Sequence, residues 1–236
     1  MINRREILAS LLAVVAAAPA SAQFDSASGI REILISAARL STERLGRRDG
    51  FFGDSIVRIP LPGILRTTQR RLQPLGLSGP LDDVEMRMNR AAESVMPQTR
   101  DLVINAIRGL SFSDTVGILR GGETAATTYL RRETETPLSR LLRPPMSETL
   151  GSSGAYRAVD EAASLVGNDT RRTLGRLFGR NRNTVSADGL RGEVTDFAVT
   201  KALDGVFHYI GEEERTLRRN PLSRSEDLLR GLFGRR

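Results

Sequence analysis

Residues 188–236 carry the apolar pattern that most constrains this chain. Val194, Phe197, Val199, Ala202, Leu203, Val206, Phe207 and Ile210 recur at helical spacing, which gathers them on one face of an α-helix. Asp196, Lys201, Asp204, His208 and Glu212 fall on the other face. A helix with so long an aliphatic stripe draws its stability from other apolar faces packed on it, so the pattern predicts a long amphipathic C-terminal helix packed against the rest of the chain. Beyond Ile210 the surface turns charged, and Glu214 stands four residues before Arg218, the favourable order for a helical ion pair. Asn220-Pro221 is expected to stop this helix, because the residue before a proline is pushed out of the α region. Ser223 and Glu226 then read as a capping box for a short last helix through Leu228, Leu229 and Leu232.

The same period runs through the earlier chain. Ile30, Ile33, Leu34, Ala37, Ala38 and Leu45 mark a first amphipathic helix, opened by Ser26 or Ser28 and closed near Gly46. Gly50-Phe51-Phe52-Gly53 reads as a turn whose aromatics tuck under neighbouring helices. The prolines at 60 and 62 make residues 56–62 an extended connector. Pro62 and Pro80 suit first helical positions, the second followed by Asp82 and Asp83 at the positive end of a helix dipole. Val84, Met88, Ala91, Ala92 and Val95 give that helix its buried face, which Pro97 ends or kinks. Leu102, Val103, Ala106, Ile107 and Leu110 form the next helix, and Ser113 caps a short one stopped by Gly121-Gly122. Residues 123–143 read as helix with Pro137 as a break, stopped at Pro144-Pro145, and Ala155 to Val166 as one more. No segment alternates in the manner of a strand. The fold class is therefore all-α, a single domain of about eight to ten helices broken by proline and glycine.

The N-terminus reads as a targeting segment. Asn3-Arg4-Arg5-Glu6 is a charged head, residues 7–18 an apolar run, and Ala20-Ser21-Ala22 a small-residue site predicting cleavage before Gln23. That makes residues 1–22 a cleavable signal peptide and 23–236 a single helical domain without a transmembrane segment after cleavage. Arg4-Arg5-x-Ile7-Leu8 resembles a twin-arginine signal, with an ordinary secretory signal as the alternative. Both place the protein in the periplasm. The chain has no cysteine, which excludes disulfides, thiolate metal sites and thiol catalysis. Its formal charge is +7, and loss of Arg4, Arg5 and Glu6 leaves +6; every basic residue except Lys201 is arginine. Anionic lipid, lipopolysaccharide or an acidic envelope protein is the expected partner. Nucleic acid is not, since aromatics are only 5% of the chain and stacking platforms are missing. An arginine-rich loop at about residues 167–192 holds six arginines against two aspartates. Within it Leu174 to Arg180 echoes Leu229 to Arg235, either as two glycine-ended amphipathic turns or as basic-apolar patches for a membrane or partner.

Several stretches in a fixed order carry a resemblance. They are Gly50-Phe51-Phe52 leading to Val57-Arg58-Ile59-Pro60-Leu61-Pro62, then Met88-Asn89-Arg90-Ala91-Ala92-Glu93 and Ala125 to Arg132 (AATTYLRR). Val199-Thr200-Lys201-Ala202-Leu203-Asp204-Gly205-Val206-Phe207 and Asn220-Pro221 complete the set. With these motifs the chain resembles the bacterial family termed domain of unknown function 4197 over nearly all of residues 23–236. The resemblance implies an exported helical protein and no established activity, hence no catalytic residues to carry over. Residues 167–192 depart most from the family pattern.

Chemistry-bearing constellations are sparse. Lys201, Asp204, His208 and Glu212 have the spacing to set two metal ligands or an acid–base pair side by side, yet His208 is the only histidine and a zinc-hydrolase helix needs two. An ion-paired helix face is the alternative, so His208 and Glu212 stand as weak metal candidates and no cofactor is expected. Arg90 and Glu93, with Arg131 and Arg132, put charges beside small apolar residues. Together with Lys201 and Asp204 they are candidates either for internal ion pairs that fix helix register or for an arginine-lined pocket for a carboxylate or phosphate. No Gly-x-Ser-x-Gly elbow and no phosphate loop occur. The expectation is a non-enzymatic exported protein binding a hydrophobic or anionic envelope component or an envelope protein; the alternative is a cell-envelope hydrolase using carboxylate and arginine chemistry.

Overall fold

The structure is a computed structural model and describes residues 20–111, 118, 120–165 and 187–219. Among the described residues 81% are α-helical and none is in a strand. The seven helices are α1 (Ala20–Leu45), α2 (Gly63–Leu72), α3 (Gly79–Ser94), α4 (Met96–Gly109), α5 (Ala125–Ser152), α6 (Ala155–Leu165) and α7 (Ala187–Arg219), with a 3-10 turn at Gln73–Leu75. None of them is long and apolar enough to cross a membrane.

The long helix is α7, 33 residues, and it is the element on which the others converge. It packs mainly on α1 and α5, with further contacts to α3 and α6. The stripe read from the sequence is its inner face. Val194, Ala202, Val206 and Ile210 are fully buried; Val199, Leu203 and Phe207 nearly so, and Phe197 is half-buried against the core. On α1 the buried face is rotated from the expected one. Ile33 is exposed, whereas Ile35, Ser41 and Thr42 are buried, because α7 and α4 together cover a wider arc than one apolar stripe. This helix starts at Ala20, so Ser26 and Ser28 lie inside it. Its end falls where expected, with Gly46 N–H donating to the Thr42 carbonyl at 2.9 Å.

Pro80 stands in the first turn of α3 as expected, but other prolines behave differently from the sequence expectation. Pro62 occupies the N-cap of α2, not its first turn. Pro97 opens α4, the chain turning at Val95 between α3 and α4. Most of all, Pro137, Pro144 and Pro145 lie inside α5, a continuous helix of 28 residues. Each removes one intrahelical hydrogen bond, orphaning the carbonyl four residues earlier. Those carbonyls belong to Glu133, Arg140 and Leu141, all exposed residues that water can serve, while Pro137 and Pro144 themselves face solvent. The buried stripe Leu130, Thr134, Leu138, Leu142, Met146 and Leu150 repeats every four residues along the opposite side. That burial carries the helix through. Joining two expected helices into one accounts for part of the lower count. The expected short helix after Ser113 and the last helix after Pro221 lie mostly or wholly outside the described residues, as do residues 167–186; residues 187–192 belong to α7 and not to a loop.

Candidate functional site

Two of the expected charge pairs are structural clamps. On α3, Glu85, Asn89 and Glu93 are spaced four apart beside the apolar face, and all three are buried. Glu93 and Asn89 hold the connector between α1 and α2 by its backbone, and Glu85 holds it by a side chain. Glu93 Oε1 accepts the N–H groups of Phe51 and Phe52, both at 3.1 Å. Asn89 bonds both the N–H and the carbonyl of Ile59, at 2.9 and 2.7 Å. Glu85 takes Arg58 at 2.7 Å. Arg90 donates to Glu93 at 2.8 Å and to Asp49 at 2.7 Å. Phe51 is fully buried; Phe52 is instead flanked by the guanidinium groups of Arg58 and Arg90. Arg90 and Glu93 thus anchor a loop.

On α7, Glu214 is 1% exposed. Its carboxylate accepts the Ala126 and Thr127 N–H groups at 3.0 and 2.8 Å and the Thr127 hydroxyl at 2.7 Å. It therefore caps the N-terminus of α5 from another helix, where a negative charge is favoured. Arg218 pairs with it at 2.9 Å, as the spacing predicted. Tyr209 donates its hydroxyl to Asp54, which Arg44 also contacts at 3.2 Å. Burial and this carboxylate push the Tyr209 phenol up to about 12. Polar residues interrupting an apolar arc at four-residue steps were the signal that could have found the α3 clamp. No local signal marks Tyr209 or the capping of α5 by Glu214.

The remaining candidates other than Arg132 meet in one cleft of about 720 Å³. One wall is the polar face of α7 with Lys201, Asp204, His208, Glu212 and Arg215. The facing walls are the connector with Ile56 and Arg58, Arg66 of α2, and Thr124 to Arg131 at the start of α5. Asp204 accepts from Arg131 at 2.5 Å and from Lys201 at 2.8 Å, and Arg131 also holds Glu135 at 2.8 Å. Burial pushes the Asp204 carboxyl up, but the hydrogen bonds from Lys201 and Arg131 outweigh it and leave it below its ordinary value. The partner of Asp204 is therefore Arg131. Arg132, expected to act with it, points away, stacking over Tyr129 and pairing with the adjacent Glu133. Glu212 is held by Arg215, which reaches Glu123 at 3.2 Å as well. His208 makes an edge contact with Tyr209 and has no hydrogen bond among the described residues. Nor do three or more His, Cys, Asp or Glu side chains gather anywhere among those residues to hold a metal ion.

Five cations, Arg58, Arg66, Arg131, Lys201 and Arg215, thus line the cleft against two carboxylates, Asp204 and Glu212. The lining holds three more cations than carboxylates, although Arg58, Arg131 and Arg215 also pair with Glu85, Glu135 and Glu123 at its edge. Arg66 has no ion pair among the described residues. The polar wall faces an apolar lip of Ile56, Val57, Pro60 and Phe197. Chemically this can hold an anionic group beside an apolar one. A larger groove of about 1100 Å³ runs between α1 and α4, lined by Arg39, Glu43, Arg100 and Asp101 among others. It contains none of the candidate site residues named from the sequence.

No curated protein and no solved structure is detectably similar to the chain. The family model described as protein of unknown function (DUF4197) matches residues 20–234. That range takes in every motif on which the resemblance rested, the connector held by α3, the start of α5 and the polar face of α7, and the chain belongs to the DUF4197 family.

Proposed function

We propose that this protein is an exported, non-enzymatic binding protein of the bacterial envelope whose α5–α7 cleft receives an anionic group of an envelope component. The observation that carries the reading is a lining with three more cations than carboxylates, Arg66 among them without an ion pair among the described residues, in a cleft with an apolar lip. Arginine suits planar or tetrahedral oxyanions because its fork donates two parallel hydrogen bonds. Export is supported by the charged head, apolar run and small-residue site at residues 3–22. A carboxylic lipid or a phosphate-bearing headgroup satisfies both walls.

The hydrolase alternative fits less well. Asp204 is committed to two cations and held ionised, which unsuits it as a general acid. Glu212 lies eight residues further along the same helix, a rise of about 12 Å, beyond the separation of roughly 5–9.5 Å at which paired carboxylates work on glycosides. Native mass spectrometry of protein recovered from the periplasm tests the proposal. The expected spectrum shows a chain beginning at Gln23 with a bound anionic ligand, and loss of that ligand in Lys201→Gln. A ligand-free wild type that also ignores added fatty acid and phospholipid would overturn it.

A further inference from the structure

The most exposed apolar side chains of the described residues are not at the cleft alone. Leu75 is 68% and Leu77 61% exposed, two residues apart on the turn that links α2 to α3. Their exposure is built into the backbone. Gly76 sits in the left-handed region at φ 69°. Its N–H donates to the Gln73 carbonyl and the Leu77 N–H to the Leu72 carbonyl, both at 3.1 Å. This is the paired hydrogen-bond pattern with which a left-handed glycine closes a helix. In that pattern the residue after the glycine usually packs back on the helix. Here Leu72 packs on the core while Leu77 remains outside. Pro74 has no N–H to satisfy. The tip therefore presents few unmet donors, the condition under which a turn can approach hydrocarbon.

Within the stretch from α2 to the start of α3 the charge has one sign. Between Leu61 and Leu81 the chain carries Arg66, Arg70 and Arg71 and no carboxylate. All three arginines are exposed, and none has an ion pair among the described residues. The nearest carboxylates lie on the α3 side of the turn and bond back to α2 and the turn. Asp82 accepts from Gln69 and Ser78, and Glu85 from Gln69 and Arg58. Both leucines are exposed and line neither the cleft nor the α1–α4 groove, which suits a surface without fixed shape.

We propose that Leu75 and Leu77 insert into an anionic lipid surface while Arg66, Arg70 and Arg71 meet its headgroups. Two leucines and three cations supply the two kinds of attraction that reversible interfacial binding needs. The surface is separate from the cleft, sharing only Arg66 with it.

The chain contains no tryptophan, so Leu77→Trp installs a single reporter. Flotation with vesicles of phosphatidylcholine alone, or of phosphatidylcholine with phosphatidylglycerol, tests the proposal. The exported chain from Gln23 is expected to bind only the anionic vesicles, less so in high salt, and the Leu77→Trp emission to shift to the blue on them. Leu75→Ser with Leu77→Ser is expected to weaken binding at least about tenfold, and Arg70→Gln or Arg71→Gln about fivefold each. Both sets lie on exposed positions, and an unchanged thermal melt confirms that the fold is intact. Arg100→Gln, a surface arginine of α4 outside both the tip and the cleft, is expected to leave vesicle binding unchanged, which separates the tip arginines from net charge alone. Absence of vesicle binding, binding indifferent to the leucine and arginine changes, or an unshifted emission would overturn the proposal. So would binding to polyglutamate without binding to vesicles, which would assign the arginines to an acidic protein.

Discussion

Glu93 and Arg132 were equal candidates by sequence, and their surroundings separate them. Glu93 is 4% exposed and serves two backbone N–H groups and Arg90 at once. Removing it leaves buried donors and a partly buried cation without a partner, which typically costs about 3–5 kcal/mol. Arg132 lies at the surface with a neighbouring glutamate, where loss of a pair is worth about 0–1 kcal/mol. Urea melts are therefore expected to show Glu93→Ala as severely destabilised and Arg132→Ala close to wild type. Asp204→Ala should fall between, since its carboxylate joins α7 to α5 but is 31% exposed. His208→Ala, with no hydrogen bond to lose, should stay within about 1 kcal/mol. Equal losses for Glu93→Ala and Arg132→Ala would mean that the loop clamp contributes nothing.

At the scale of elements, α7 approaches the connector so closely that one position tolerates only glycine. A Cβ at Gly205 would stand 2.8 Å from the Phe51 ring and 3.4 Å from Val57. Glycine in a helix ordinarily costs about 0.5–1 kcal/mol against alanine. Overpacking a close-packed core costs about 1–3 kcal/mol, so the close approach wins. Gly205→Ala is expected to lower the melting temperature. Gly211, one and two-thirds turns on, meets Thr124 at an ordinary 3.4 Å, and Gly211→Ala should be neutral or stabilising. The same weighing of local preference against packing explains α5. Its prolines disfavour helix locally, but they fall where the orphaned carbonyls see water and the four-residue apolar stripe is unbroken.

For the molecule as a whole, α7 is the common partner of α1, α5, α3 and α6. A chain ending before Gly192 would uncover the faces that Val194 to Ile210 bury, and a core of close-packed side chains does not survive loss of one whole wall. Such a truncation is expected to show no cooperative thermal transition and to aggregate. A sharp melt would make α7 peripheral to the fold.

The all-helical class, the long final helix and its buried stripe were legible in the sequence, because helical period is a local property of residues three and four apart. So was the Glu214–Arg218 pair, one turn apart on one helix. Which expected breaks would hold was not legible. Whether Pro144 stops a helix depends on what covers the opposite face. Nor could spacing choose Arg131 over Arg132 as the partner of Asp204, since adjacent helix positions point about 100° apart and only the placement of α7 selects one. The clamps lie furthest from reach. Glu93 serves Phe51, 42 residues away, and Glu214 serves Ala126, 88 residues away. Such pairings cost loop-closure entropy that no local pattern records, and they form because helix packing buries backbone N–H groups that must then find an acceptor. The sequence determined the helices and the stock of charges; the tertiary structure decided which charges hold the fold together and which stand open in the cleft and at the α2 tip.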